Sequence, residues 1–262
     1  MTGPAVPILM YHEVSPRPRP GFRRCTVTVR EFTAQMRWLA LCGFRTVDMD
    51  TLLRARQGLG PLPRRPVLIT FDDGFEGCAQ YALPVLRAYH FTAVFYLVPG
   101  LMGEGSRWML PEVGLELPLM SWETARMLAA EGFQCGAHTV THPRLAEVDP
   151  DQCRSELVQA RTLLERELGR PVVHLAYPFG SYDASVQAMA REAGYVTACS
   201  TRPGLSAPDD DLLALHRVTI YGQDTLFDFV SRLQTGTAVR ERVSQALDSW
   251  TGRLRQGWRA RQ

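Results

Sequence analysis

Short apolar runs alternate along the chain with segments in which apolar residues recur every three or four positions. Residues 67–70 (VLIT) form such a run, which is typical of a strand covered on both faces in a parallel sheet. Phe32, Met36 and Leu39 lie at positions i, i+4 and i+7, so they share one face of a helix that Gly43 ends. The pattern predicts repeated strand–helix units, and therefore a parallel sheet with right-handed crossovers.

These units follow one another without an obvious linker. Strands are predicted at residues 8–11, 67–70, 92–98, 133–137, 172–177, 195–199 and 217–220. Helices are predicted before Gly43, around residues 81–86, at 122–130, 150–168 and 184–193, and twice after the last strand. This many units favour a closed α/β barrel, with an open doubly wound sheet as the alternative. No Gly-x-Gly-x-x-Gly sequence follows the first strand, which argues against a dinucleotide-binding fold.

Two adjacent carboxylates, Asp72 and Asp73, follow the strand at residues 67–70 after a single residue, Phe71. Catalytic residues of parallel barrels come from the carboxyl ends of the strands, so this position is informative. Two carboxylates after an apolar strand are costly unless they are neutralised, and a bound cation is the simplest explanation. One aspartate would then be a ligand and the other a free base. A solvated Asp-Gly turn is the alternative when the pair is considered alone.

Two histidines, His138 and His142, follow the strand at residues 133–137. Pro143 disfavours the α conformation at His142, so the pair is expected on a loop or short turn. Neutral imidazole suits zinc and related metals, and two histidines with one carboxylate leave positions open for water and substrate. The pattern therefore indicates a catalytic metal site, against the alternative of two unrelated polar loop residues.

Three segments resemble, in the same order, the motifs of polysaccharide deacetylases, the NodB-homology carbohydrate esterases. They are residues 70–74 (TFDDG), 138–143 (HTVTHP) and 177–180 (YPFG). The resemblance runs from about residue 7 to about residue 220. It implies an α/β fold, a deformed (β/α)7 barrel of the NodB-homology type with parallel strands and outer helices. It also implies metal-dependent removal of N-acetyl groups from an N-acetylglucosamine-type oligomer or polymer, with release of acetate.

The resemblance assigns roles to the matching positions. Asp73, His138 and His142 would bind a divalent metal, usually zinc in this family, with cobalt or nickel as alternatives. Asp72 would be the general base. The acetate pocket, with a backbone N–H that donates to the oxyanion, would be formed by Tyr177, Pro178, Phe179 and Gly180.

The chain departs from the family pattern at the residue that holds the base. Many members carry an arginine where this chain has Ala176, and Arg217 is the predicted replacement. The Tyr11-His12 pair after the first strand is similar to the branch that deacetylates poly-N-acetylglucosamine, in which this histidine supplies the general acid. His12 is therefore the predicted acid, and His216 after Leu215 is the alternative.

Composition and charge limit the partners and the compartment. A formal net charge of +2 gives no reason to expect a nucleic-acid partner. The six cysteines are scattered without a close pair, which is typical of thiols in a reducing compartment. The first residues lack the basic and apolar pattern of a signal peptide, which predicts a cytoplasmic location and leaves export or membrane association open.

The chain is predicted to consist of a barrel at residues 1–236 and a basic amphipathic helix at residues 237–262. In the second unit, Val243, Leu247 and Trp250 lie on roughly one face, with arginines at its flanks. Such a stripe is expected to pack on its own domain, with peripheral contact to an anionic membrane as the alternative.

Residues 101–120, which include Trp108, are rich in Gly and Pro, and the segment is either a substrate-binding lid or a variable surface loop. Two other functions stay open for the whole chain. One is hydrolysis of a different non-peptide amide, and the other is a carbohydrate-binding barrel that keeps its metal without catalysis.

Overall fold

Seven parallel strands close into a barrel in the computed structural model, which describes residues 4–238. The strands of the chain are β1 (Ile8–Tyr11), β2 (Glu13–Ser15), β3 (Thr26–Thr28), β4 (Arg45–Thr46), β5 (Pro66–Phe71), β6 (Val94–Leu97), β7 (Gln134–Ala137), β8 (His174–Ala176), β9 (Thr197–Pro203) and β10 (Leu215–Thr219). The barrel order is β1, β5, β6, β7, β8, β9, β10 and back to β1, and every neighbouring pair is parallel. The deformed (β/α)7 barrel is confirmed, and the open doubly wound sheet is wrong.

Helices surround the barrel and connect its strands. They are α1 (Val29–Leu41), α2 (Met49–Arg56), α3 (Leu83–Ala88), α4 (Met109–Val113), α5 (Trp122–Ala130), α6 (Pro150–Leu168), α7 (Ala184–Glu192) and α8 (Leu226–Thr235). Local sequence explains several of their ends: Thr28 and Glu31 form a capping box that begins α1. Asp149 caps α6, which ends at Gly169 with a φ of 65°. The short helices α2 and α4 are additional to the predicted ones.

Side chains alternate between the interior of the barrel and the surrounding helices. One buried cluster contains Leu68, Val94 and Cys199 from three barrel strands, whereas Ile69 and Phe95 belong to the larger cluster that extends under the helices. Successive residues of a strand point to opposite faces, so each strand contributes to both layers. Near the carboxyl ends of the strands, polar side chains also point into the barrel interior.

Smaller elements extend the barrel. The strands β2 and β3 form a separate two-stranded parallel sheet, and β4 pairs with β5 on its outer side. Within residues 4–238, no helix is both long enough and apolar enough to span a bilayer. The predicted amphipathic helix at residues 237–262 lies almost wholly outside the described residues, so the division at residue 236 stays a prediction.

Candidate active site

Most of the predicted site residues line one cavity of about 220 Å³ at the carboxyl ends of the barrel strands, whereas Pro178, Gly180 and Arg217 are not among its lining residues. Its wall includes all five residues predicted as catalytic or metal-binding: His12, Asp72, Asp73, His138 and His142. The other lining residues are Phe22, Cys25, Trp108, Met109, Glu112, Val113, Tyr177, Phe179 and Thr201. The loops that follow β1, β5, β7 and β8 therefore converge on a single pocket.

Asp73, His138 and His142 form a compact buried cluster at the base of this pocket. Asp73 Oδ1 lies 3.3 Å from His138 Nε2 and 3.1 Å from His142 Nε2. One candidate ligand atom from each residue can be chosen so that all three lie within 4.8 Å of one another. Ligands at the usual zinc distances of about 2.0–2.2 Å in a tetrahedron are about 3.4 Å apart. The spacing from the carboxylate oxygen to each imidazole thus fits one cation.

The electrostatics of the cluster also suit a cation. Burial acts to raise the pKa of Asp73, but hydrogen bonds to the two imidazoles outweigh it and hold the pKa well below its usual range. Burial lowers the pKa of His142, which favours the neutral imidazole. The pKa of His138 is raised, because the Asp73 and Asp72 carboxylates outweigh its burial. An ionised Asp73 and a neutral His142 are the ligand forms that a divalent cation requires.

A hydrogen bond of its second ring nitrogen fixes the orientation of the His138 imidazole. Its Nδ1 donates a hydrogen bond to the Ala176 carbonyl oxygen at 2.7 Å, so Nε2 is directed toward Asp73. Histidine ligands of metals commonly have such a partner on the other ring nitrogen, which determines the tautomer.

Arg217 holds Asp72 through two parallel hydrogen bonds. Arg217 Nη1 donates to Asp72 Oδ1 at 2.7 Å, and Nη2 donates to Oδ2 at 2.6 Å. The guanidinium also donates through Nε to the Ser200 carbonyl oxygen at 2.8 Å. Burial acts to raise the pKa of Asp72, but the charge of Arg217 outweighs it and the pKa is lowered. Arg217 on β10 thus contacts the predicted base, and its assignment as the replacement for the arginine expected at Ala176 stays a prediction.

The two candidate acids, His12 and His216, lie in different places. His12 lines the cavity, and a positive charge on it would lower the pKa of both aspartates. His216 is next to Arg217 in β10 but is directed to the other face of the strand, where its Nδ1 lies 3.0 Å from Asp210 Oδ2. It is not among the residues that line the cavity. The geometry favours His12, whose role stays a prediction.

The segment Tyr177–Gly180 forms the wall that follows β8. Tyr177 is fully buried and donates its hydroxyl to the Leu213 carbonyl oxygen at 3.0 Å, whereas Phe179 is partly exposed at the rim. The Gly180 amide donates within the turn to the Tyr177 carbonyl oxygen. Gly180 has a φ of 66°, and a Cβ at this position would lie 2.0 Å from Thr201 Oγ1, so the turn requires glycine.

Four non-glycine residues of the site have a left-handed backbone. The φ angles are 72° at Asp73, 64° at Thr139, 67° at His142 and 56° at Phe179. Such conformations cost on the order of 1–3 kcal/mol each and persist where surrounding contacts enforce them. Their concentration around one cavity indicates that the fold is strained here to aim these side chains.

Residues 101–120 supply the opposite wall of the cavity. The Trp108 ring stacks on the His142 imidazole with ring centroids 4.3 Å apart. Glu112 on α4 forms a salt bridge to Arg144 at 3.1 Å, and the Arg144 guanidinium lies 3.9 Å above the Phe179 ring. The segment therefore contacts both a candidate metal ligand and the predicted acetate pocket, and Trp108 already uses one ring face for this contact.

Two further residues near the site were missed from the sequence. Glu156 on α6 is buried against the turn that carries His142, and Arg144 connects the two walls. Glu156 lies between Cys153 and Ala160 on the apolar face of its helix. The sequence did contain a signal for Glu156, because a carboxylate on the apolar face of a helix is unusual.

A sequence model of the polysaccharide deacetylase family matches residues 60–198, which is more than half of the chain. The chain belongs to the polysaccharide deacetylase family. The matched region contains the aspartate pair, the histidine pair and the Tyr177–Gly180 turn. As a member of this family, the chain is a hydrolase that acts on carbon–nitrogen bonds other than peptide bonds.

Relatives and solved structures agree with this assignment. YxkH of Bacillus subtilis, whose name gives polysaccharide deacetylase as a provisional function, is 29% identical over 82% of this chain and 71% of its own length. The poly-β-1,6-N-acetyl-D-glucosamine N-deacetylase of Escherichia coli K12 is 32% identical, but over only 28% of this chain and 11% of that protein. The deacetylase PplD of Streptococcus pyogenes, solved with acetate, superimposes with a TM-score of 0.77 over 88% of this chain and 99% of PplD. At 23% identity, this last likeness shows a shared fold.

Proposed function

We propose that this family member removes N-acetyl groups from an N-acetylglucosamine-type oligosaccharide or polysaccharide and releases acetate. The observation that carries the proposal is the convergence of Asp73, His138 and His142 on one point, with Asp72 next to them and His12 in the same cavity. The named substrate of the Escherichia coli relative supports the choice of sugar.

Asp73, His138 and His142 would hold a divalent metal, and Zn²⁺ is the proposed ion because two neutral imidazoles and one carboxylate are typical of catalytic zinc sites. Co²⁺ and Ni²⁺ accept similar ligands. When bound, the ion would supply Lewis acidity toward the acetyl carbonyl and the attacking water. Three protein ligands would leave room for a substrate oxygen.

Asp72 is the proposed general base. Arg217 keeps its carboxylate ionised and fixes its plane, while each oxygen retains a further lone pair that can accept a proton from water. Because the carboxylate is held by two hydrogen bonds, little reorganisation is needed when the proton moves. Asp72 would therefore take the proton of the water that attacks the acetyl carbon.

His12 is the proposed general acid. An amine is expelled from the tetrahedral intermediate only when its nitrogen receives a proton, and His12 is a proton donor in the same cavity. The Phe179 backbone N–H is the proposed donor to the oxyanion. Such a donor contributes on the order of 3–4 kcal/mol in other hydrolases.

The proposal is tested by measuring acetate release from N-acetylglucosamine oligomers of increasing length, from poly-N-acetylglucosamine and from nucleotide-linked N-acetylglucosamine. We expect release from at least one oligomer or polymer, and none with the Asp72→Asn variant. Acetate from none of these substrates, together with hydrolysis of an unrelated amide, would favour a different amidase. Sugar binding without any hydrolysis would favour a non-catalytic barrel.

The choice between the two histidines gives a matched pair of variants. We expect His12→Ala to reduce kcat by about 10²–10⁴-fold, because the leaving nitrogen loses its proton donor. His216→Ala should leave kcat within about twofold, because its ring is paired with Asp210 on the outer face of β10. The measurement is steady-state acetate release for both variants on the best substrate. The opposite ranking would reverse the assignment.

A further inference from the structure

The turn between the two histidines is held by a buried glutamate from a different element. Glu156 lies on α6, and only 7% of its surface is exposed. Its side chain lies on the apolar face of the helix together with Cys153, Leu157 and Ala160. A carboxylate in such a position is costly unless it is hydrogen-bonded, so its partners show what it does there.

Within residues 4–238, the three groups that donate hydrogen bonds to Glu156 belong to Val140 and Thr141, which lie between His138 and His142. Glu156 Oε2 accepts the Val140 amide at 2.6 Å and the Thr141 amide at 2.9 Å. Glu156 Oε1 accepts the Thr141 hydroxyl at 2.5 Å. Short hydrogen bonds to an ionised acceptor are the strong kind. A single side chain therefore fixes two consecutive peptide groups of the turn.

The turn needs such a restraint because its backbone is strained at both ends. Thr139 and His142 have left-handed φ angles, and the His142 amide donates to Thr139 Oγ1 at 3.1 Å. The Val140 carbonyl oxygen also accepts the Gly100 amide at 3.0 Å. Contacts from two other segments of the chain thus enforce a conformation that the four-residue spacing of the histidines does not produce by itself.

We propose that Glu156 is a positioning residue that sets the spacing of the His138 and His142 imidazoles and thereby the affinity of the site for its divalent metal. The inference rests on the metal site of the proposed function. Glu156 acts through the backbone of residues 140–141, because these peptide groups connect the two ligands. The 19-residue helix α6 is the rigid support from which it acts.

The test is metal affinity, measured by competition with a chromophoric chelator for Zn²⁺, together with the visible absorption spectrum of the Co²⁺ protein. Glu156→Ala removes the two oxygens that accept all three hydrogen bonds, and we expect it to weaken Zn²⁺ binding about 10–100-fold and to change the Co²⁺ spectrum. Glu156→Gln should stay close to the wild type. Its amide oxygen can accept both N–H groups, and its NH₂ can donate to the Thr141 hydroxyl.

Glu165 provides a matched control on the same helix. It accepts the Val172 amide at 3.1 Å and Arg161 Nε at 2.9 Å, before the start of β8 and therefore at the other end of the barrel. Glu165→Ala should lower the thermal unfolding temperature without changing Zn²⁺ affinity or the Co²⁺ spectrum. Equal Zn²⁺ affinity in wild type and Glu156→Ala, or an equal loss in Glu165→Ala, would overturn the inference.

A substitution at an exposed position keeps the test decisive if Glu156→Ala does not fold. Thr141→Val removes one of the three donors, and it should weaken Zn²⁺ binding several-fold, whereas unchanged affinity would contradict the inference.

Acetate release by the wild type is measured in parallel. A wild type that binds no Zn²⁺ or Co²⁺ contradicts the proposed function, whereas a metal-binding, active wild type with an unaltered Glu156→Ala affinity contradicts only the role of Glu156.

Discussion

Replacing Arg217 with methionine is expected to destabilise the protein by about 3–5 kcal/mol and to remove nearly all acetate release. The variant leaves the Asp72 carboxylate 2% exposed and without its guanidinium partner, and an unpaired buried charge is costly to this extent. Burial then acts on Asp72 without the opposing charge of Arg217, so we expect its pKa to rise and the ionised form, which acts as the base, to become less populated. Denaturant unfolding and kcat/KM for acetate release measure the two effects.

A double variant separates the stability effect from the catalytic one. Asp72→Asn combined with Arg217→Met removes both buried charges, so we expect a double-mutant cycle to recover most of the lost stability and none of the activity. Arg217→Lys keeps the charge but cannot form two parallel hydrogen bonds, and it should lie between wild type and Arg217→Met. If Arg217→Met retained wild-type kcat/KM, the assignment of Arg217 to the base would be wrong.

Removal of the metal is expected to reduce acetate release to the background rate, and addition of Zn²⁺ or Co²⁺ is expected to restore it. The cause is the loss of the cation that Asp73, His138 and His142 are proposed to hold. Bound metal also stabilises the folded state, so the unfolding temperature should fall on chelation and rise again with added ion. Elemental analysis before and after chelation gives the metal content that accompanies each activity.

The chain itself offers a control for this experiment. Asp73→Asn weakens the ligand set, and we expect less than one metal ion per chain with acetate release near background. Asp210→Asn alters a different aspartate–histidine pair, with His216, that lies away from the cavity and belongs to no candidate metal cluster among residues 4–238. It should keep full metal content and activity. Undiminished activity after exhaustive chelation would remove the metal from the mechanism.

The position of the site could be predicted from the sequence, because motif residues that directly follow apolar strands must lie at one end of a parallel barrel. Asp72 and His138 are examples, since each follows a strand whose apolar pattern is clear. The number of seven strands was predicted from the family resemblance. The alternation of strands and helices favoured a closed barrel and left an open sheet as the alternative, and the pairing of β1 with both β5 and β10 distinguishes the two.

The detailed geometry could not be predicted, because tertiary contacts determine it. The left-handed backbone at Thr139, His142 and Phe179 is unfavourable for each residue in isolation and is enforced by neighbours far away in the chain. Glu156 contacts the histidine turn from a helix whose sequence is otherwise an ordinary amphipathic pattern. The wall formed by residues 101–120 lacked periodicity, so its contact with His142 through Trp108 had no signal in the pattern.

The opposite directions of His216 and Arg217 restrict how this part of the chain can change in length. Adding or deleting one residue inside β10 would turn every following side chain to the other face, so that Arg217 would leave the barrel interior and Asp72 would lose its partner. The loop between β9 and β10 is held as well, because the Ser206 and Val6 backbones pair and the Leu213 carbonyl oxygen accepts the Tyr177 hydroxyl. Length variation among descendants of this sequence should therefore be excluded from the five residues of the strand.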